Sequence, residues 1–323
     1  MTEPILSVRD LRVEYETTAG PAQAVSGVSF DLYPGEFLAV VGESGCGKST
    51  MLFSIAQLLT YPARTVGGSV LFNGQDLASM DAESLRQVRW RDISVVMQSA
   101  MNALNPTLSI GAQLADTCRA HTDWDEQKIA ERSAAVLHMV SIDPTHLASF
   151  PFQLSGGMRQ RAMIAMALLL EPKLIIMDEP TSALDVVAQR SLMRQVEDLR
   201  RQLGFAVLFV THDMSVVSHF SDRLAVMYAG QIVELGVTRD VFDHPRHPYA
   251  RGLMDAFPSL VGELGELTGI PGNPPNLVNP PVGCLFAPRC PHATDECRAE
   301  RPTLEETGGH YVRCHLVRKG VLA

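Results

Sequence analysis

Apolar and polar residues alternate over residues 5–15, with Leu6, Val8, Leu11, Val13 and Tyr15 as the apolar set. That period of two predicts a strand with one buried face. Residues 24–32 repeat the pattern, and Pro34-Gly35 ends it in a turn. Three short unbroken apolar runs, residues 37–41, 174–177 and 206–210, predict strands buried on both faces, as in a parallel sheet. Residues 70–72 predict a strand ending in the turn Asn73-Gly74, and residues 93–97 a strand ended by Gln98. From about residue 101 to 150 the period becomes helical, through Ile110, Leu114 and Thr117, then Ile129, Ala130, Ala134, Leu137 and Val140. Further helices are expected over residues 48–59, 158–170 and 187–203, and residues 224–227 and 231–235 flank Ala229-Gly230 as a hairpin. The reading is an α/β domain with a helical insertion.

Length and charge narrow the class. A chain of 323 residues is longer than a typical single domain, which predicts one large domain plus an appendage. A net charge of -9 gives no bulk attraction to nucleic acid or to an acidic membrane surface. No run is long and apolar enough to span a bilayer, and Met1-Thr2-Glu3-Pro4 lacks the features of a signal peptide. The expectation is a cytosolic chain whose membrane role, if any, comes through partners.

The chemistry sits at the ends of the buried runs. Residues 37–41 lead straight into Gly42-Glu43-Ser44-Gly45-Cys46-Gly47-Lys48-Ser49-Thr50. This is Gly-x4-Gly-Lys-Ser between a strand and a helix, the phosphate-binding loop. Its glycines let backbone N–H groups converge on phosphate oxygens; Lys48 supplies a point charge and Ser49 a hydroxyl for Mg²⁺. Average residue frequencies put a chance match at roughly 1% before context is considered. Cys46 reads as a tolerated small residue. Tyr15 can stack on an adenine ring or be a half-buried strand tyrosine.

Residues 174–177 deliver Asp178-Glu179-Pro180, and residues 206–210 deliver Thr211-His212-Asp213. Ligands of open α/β sheets bind outside such carboxyl ends. Asp178 suits Mg²⁺ and Glu179 the attacking water. Leu154-Ser155-Gly156-Gly157-Met158-Arg159-Gln160-Arg161 opens a helix with a serine hydroxyl and free N–H groups. It reads as an anion site or as an ordinary cap.

Six cysteines are present, four of them in the last forty residues: Cys284, Cys290, Cys297 and Cys314, spaced C-x5-C-x6-C-x16-C. The proline-rich residues 269–283 before them exclude regular helix and central strand. A segment this small does not hold together by apolar burial alone. Zinc and an iron–sulfur cluster both accept four thiolates; two disulfides or free thiols are the plain readings.

In combination and order, these motifs resemble the ATP-binding subunits of ABC transporters over residues 5–257, a P-loop NTPase core with an inserted helical subdomain at about 99–168. The resemblance implies that Gly42 to Thr50 hold the ATP phosphates: Gly42, Ser44, Gly45, Cys46, Gly47, Lys48, Ser49 and Thr50. Tyr15 takes the adenine-stacking place. Gln98 matches the Q-loop, Ser155, Gly156 and Gly157 the signature motif, and residues 174–179 the Walker B strand with Glu179 as catalytic glutamate. Ser182 to Asp185 match the D-loop and His212 the switch histidine. Ser49, Gln98 and Asp178 would serve Mg²⁺. Two such subunits would pack head to tail around two ATP molecules, each closed by the partner's signature motif.

Residues 258–323 resemble the C-terminal extension of the oligopeptide/dipeptide importer branch, through His247-Pro248-Tyr249, Gly269-Ile270-Pro271-Gly272 with Pro274-Pro275, and residues 283–291. This implies a [4Fe–4S] cluster on Cys284, Cys290, Cys297 and Cys314, with Zn²⁺ as the alternative. It also implies a second ATP-binding subunit, commonly a paralogue, two transmembrane permeases, an extracytoplasmic substrate-binding protein, no nucleic acid, and a place on the cytoplasmic face of the membrane. After Gln98 the chain reads Ser99-Ala100-Met101-Asn102-Ala103-Leu104-Asn105-Pro106, where peptide importers commonly read Asp-Pro-Met-Thr-Ser-Leu-Asn-Pro. Related importers of oligosaccharides resemble the former more closely. Oligosaccharide and nickel importers, and a soluble ABC ATPase, are the other functions to weigh.

Overall fold

The structure, a computed structural model, describes residues 3–98, 103–182, 184–256 and 269–322. Ser99 to Asn102, Ala183 and the expected domain boundary at residues 257–258 lie outside them. The chain forms two compact units: Met1–Ile5, Leu32–Glu36 and Ser79–Phe209 in one; Leu6–Asp31, Phe37–Ala78 and Val210–Ala323 in the other.

Along the chain, β1 (Leu6–Thr17) and β2 (Gly20–Leu32) precede β3 (Phe37–Val41) and α1 (Lys48–Ile55). The five residues of β3 are all apolar and all buried. Helix α1 stops short of the expected residue 59, because Gln57 takes a φ of 56°, which no right-handed helix accommodates. β4 (Ala63–Phe72) and β5 (Gln75–Asp76) form a hairpin about Asn73-Gly74, with φ of 48° and 78°. α2 (Ala82–Val88) and β6 (Ile93–Val96) follow.

The helical insertion holds α3 (Ile110–His121), α4 (Glu126–Met139) and α5 (Gly156–Leu168). Side chains of Ser109, Asp125 and Ser155 cap their first turns. Cys118, rather than Thr117, continues the buried stripe of Ile110 and Leu114 at a spacing of four. Then come β7 (Leu174–Asp178), α6 (Val186–Leu203), β8 (Ala206–Val210), α7 (Met214–Phe220), β9 (Arg223–Tyr228) and β10 (Gln231–Val237).

In the first unit the strand order is β8-β7-β6, with β6 and β7 parallel. In the second unit, β2-β1-β4-β5 make one sheet, β1 and β4 antiparallel. Its other strands run β3-β9-β10-β12-β11, where β3 and β9 are parallel and β9 and β10 form the expected hairpin about Ala229-Gly230.

The C-terminal segment adds α8 (Thr238–Asp243), α9 (Pro248–Asp255), α10 (Asp295–Ala299), β11 (Glu305–Thr307), β12 (His310–Val312) and α11 (His315–Arg318). Residues 269–283 carry neither helix nor strand. The short β11–β12 hairpin turns at Gly308-Gly309 and pairs onto β10. No helix among the described residues is long and apolar enough to cross a membrane.

Candidate functional site

Strand β3 ends at Val41, and the chain turns at once through Gly42 (φ 153°), Gly45 (φ 78°) and Gly47 (φ 103°) into α1. A Cβ on Gly42 would lie 2.1 Å from the Met227 carbonyl oxygen, and one on Gly47 2.2 Å from that of Ala24. Glycine is required there by space as well as by dihedral. The Lys48 ammonium is buried inside the turn and donates to the carbonyl oxygens of Gly42 (2.8 Å) and Glu43 (3.1 Å). Ser44 and Gly45 form the exposed tip. Burial pushes the Cys46 thiol up despite nearby Lys48, so it stays protonated. The Tyr15 hydroxyl lies 3.1 Å from that of Thr50, which ties the end of β1 to the start of α1 beside Ser49.

Asp178 closes β7 and is 2% exposed; Glu179 follows with a φ of 44°, a left-handed conformation costly for a non-glycine residue. β6 and β7 are in register with Val96 opposite Met177. Two residues beyond that pair stand Gln98 and Glu179, and the Gln98 amide donates to the Glu179 carboxylate at 3.0 Å. Parallel pairing alone therefore brings together two residues that sequence separates by 81 positions.

The Ser155 hydroxyl accepts from the Met158 N–H at 3.3 Å, so it is an N-cap of α5 in this chain. Gly156 opens that helix, and a Cβ on Gly157 would meet nothing within 4 Å. Asp185 caps α6 by accepting from the Ala188 N–H at 2.8 Å. Ala183 of the same loop lies outside the described residues. His212 follows β8 and is exposed; its neighbour Asp213 caps α7.

The four C-terminal cysteines come together. Cys284, Cys290, Cys297 and Cys314 line one apolar recess with His247 and Phe286. All carry free thiols. Burial pushes Cys284 and Cys314 up, and Cys290 to about 11. Backbone N–H groups of Phe286 and Ala287 oppose that shift at Cys284, that of His292 at Cys290, and those of Leu316 and Val317 at Cys314. N–H donors on sulfur favour bound thiolates, so the donor set fits a soft cation or cluster. Among the described residues, no three His, Cys, Asp or Glu side chains are already arranged to hold a metal ion.

Three residues escaped the sequence reading. The Glu43 carboxylate, inside the loop, receives both arms of the Arg289 guanidinium at 2.8 and 2.9 Å. The Glu43 N–H donates to the Tyr249 hydroxyl at 2.9 Å. The available signal was an acid inside a Gly-x4-Gly-Lys-Ser loop, which calls for a cation nearby.

Residues 25–182 match the model described as ABC transporter, and residues 233–297 the one described as oligopeptide/dipeptide transporter, C-terminal region. The chain is 41% identical to the dipeptide transport ATP-binding protein DppD of Caldanaerobacter subterraneus subsp. tengcongensis, over 98% of this chain and 98% of that protein. It is 42% identical to the oligopeptide transport ATP-binding protein OppD of Escherichia coli, over 97% of this chain and 93% of that one. Among solved structures, the dimeric bacterial ABC transporter cassette MJ0796 matches with a TM-score of 0.65 at 27% identity, over 72% of this chain and 99% of that one. The chain belongs to the ABC transporter ATP-binding proteins, in the branch that carries the oligopeptide/dipeptide transporter C-terminal region.

Proposed function

We propose that this chain is the ATP-hydrolysing subunit of an importer for dipeptides or oligopeptides. The carrying observation is the near full-length likeness to dipeptide and oligopeptide transport ATP-binding proteins, in a chain whose strand–loop–helix around Lys48 is complete. The core comprises residues 1–257, and residues 258–323 are the C-terminal module.

ATP lies with its phosphates on residues 42–50 and its adenine against Tyr15. Ser49, Gln98 and Asp178 offer only oxygen donors, the chemistry of Mg²⁺, and would hold that ion. Glu179 orients the attacking water and His212 steadies the γ-phosphate charge. Catalysis is then mostly positioning and electrostatic stabilisation. A second ATP-binding subunit, most simply a paralogue, supplies its own Ser-Gly-Gly turn to this ATP; Ser155, Gly156, Gly157 and Asp185 of this chain serve the partner's. The open space around a Cβ on Gly157 supports that reading, because nothing among the described residues requires glycine there. Two permease subunits hold the protein at the cytoplasmic face of the membrane, and an extracytoplasmic binding protein delivers cargo. Cys284, Cys290, Cys297 and Cys314 would hold a [4Fe–4S] cluster, which supplies a redox-active or purely structural centre when bound.

The test is Glu179→Gln. The variant is expected to bind ATP like the unmutated chain and to lose turnover. Near-normal ATP hydrolysis by it would refute the assignment.

A further inference from the structure

The C-terminal cysteine module and the phosphate-binding loop are joined by a dense set of contacts. The module's turn from Cys284 to Cys290 is closed by backbone bonds from Ala287 to Cys284 (3.0 Å), Arg289 to Phe286 (2.9 Å) and Cys290 to Ala287 (3.4 Å). It is tied to the next cysteine by the Cys284 N–H on the Cys297 carbonyl at 2.8 Å. Between its two cysteines the turn carries Phe286 and Arg289. The Phe286 ring packs edge-on against Tyr228 and Tyr249, with centroids 5.3 and 5.5 Å apart, and the two tyrosine rings lie 4.5 Å apart. The Arg289 side chain is 4% exposed. It donates to the carbonyls of Ile270 (3.0 Å) and Pro271 (2.9 Å), lies over the Tyr228 ring, and forks onto Glu43.

Glu43 is thereby fixed at every polar group. Its N–H is on the Tyr249 hydroxyl, its carboxylate on Arg289, and its carbonyl accepts from Lys48. The backbone direction at Glu43 sets where the following N–H groups of the loop point. A bidentate, largely buried guanidinium–carboxylate pair is a rigid connection, unlike an exposed ion pair.

We propose that Arg289 and Tyr249 are positioning residues for the phosphate-binding loop, so that the C-terminal cysteine module sets the affinity for ATP through Glu43. This rests on the reading that residues 42–50 bind ATP. The module is then a working support of the nucleotide site, and disorder in the Cys284–Cys290 turn weakens nucleotide binding before it affects chemistry.

The experiment is equilibrium binding of a fluorescent ATP analogue with Mg²⁺ to the full-length chain, at a temperature where each variant is folded by circular dichroism. Arg289→Met is expected to weaken binding about tenfold, as for a lost charged hydrogen bond that leaves its partner unpaired. Arg289→Lys, which keeps the charge but loses the fork, is expected to fall between. Glu43→Gln gives the decisive sign. Removing a carboxylate beside a triphosphate strengthens binding by charge alone, whereas loss of the clamp weakens it. The double variant is expected to be no weaker than the worse single one, because both remove the same connection. Unchanged or tighter binding by Glu43→Gln would overturn the proposal, as would losses that add in the double variant. If Arg289→Met fails to fold, Glu43→Gln decides alone, since Arg289 keeps its bonds to Ile270 and Pro271. A tie that is merely structural lowers the melting temperature and leaves affinity unchanged. No binding by the unmutated chain would refute the ATP reading itself; normal binding with unaffected variants would refute only the clamp.

Discussion

Two glycines of this chain look alike in the sequence and differ in what they are for. At Gly47, a methyl group would stand 2.2 Å from the Ala24 carbonyl oxygen, and the φ of 103° is strained for any side chain. Gly47→Ala therefore must move the loop, and a loss of ATP affinity of at least about tenfold is expected, with far-ultraviolet dichroism unchanged. At Gly157 the space is open. Gly157→Asp is expected to spare ATP binding by the single chain and to abolish ATP-driven pairing, read by light scattering; unchanged pairing would place the signature turn outside the proposed composite site. The loop, the strand-end acids and the Ser-Gly-Gly turn were legible because each is a contiguous run of special residue types. The clamp on Glu43 was not, because Arg289 lies 246 positions away and an arginine between cysteines has no local signature.

Elements were legible in proportion to their length and apolar continuity. The runs at residues 37–41, 174–177 and 206–210 returned as buried strands almost to the residue. Helix α7 and the β11–β12 hairpin were missed: seven- and three-residue elements carry too little periodicity to read. Helix α6 is the best specified, with Asp185 at its start, a buried stripe of Leu192, Met193, Val196 and Leu199, and Gly204 at φ 76° after its end. Asp185→Ala is expected to cost about 1 kcal/mol through the lost cap, and Asp185→Asn almost nothing, by chemical denaturation. The same helix carries a pH dependence. Burial pushes the Glu197 carboxyl up, but hydrogen bonds from Arg200 and Arg201 outweigh it and hold it below its ordinary 4.5. Its stabilising contribution is therefore present above pH 4.5 and is lost as the pH falls below it. Glu197→Gln should flatten that part of the stability profile.

For the whole molecule, the question is what holds residues 269–322 together. The segment adds only a short hairpin to β10, two short helices and a long stretch with no regular structure. Its apolar burial centres on Leu285, Phe286 and Leu316, too little to order a segment of this size alone. Further cohesion comes from the tyrosine–phenylalanine cluster, the Arg289 fork, the buried His310–Glu234 hydrogen bond and the Arg301 and Arg313 bonds to backbone carbonyls, while the four free thiols line one recess. If a cluster on those thiols is the missing staple, the purified protein is brown, contains iron and sulfide in equal amounts, and loses its visible absorption with dithionite. Cys297→Ser, at the most deeply buried of the four, should abolish the colour and lower the midpoint of thermal unfolding. Colourless protein with stoichiometric zinc would replace the cluster by a single ion. A midpoint unchanged in metal-free Cys297→Ser would mean that the aromatic cluster and the fork on Glu43 suffice, and that the cysteines serve something other than the fold.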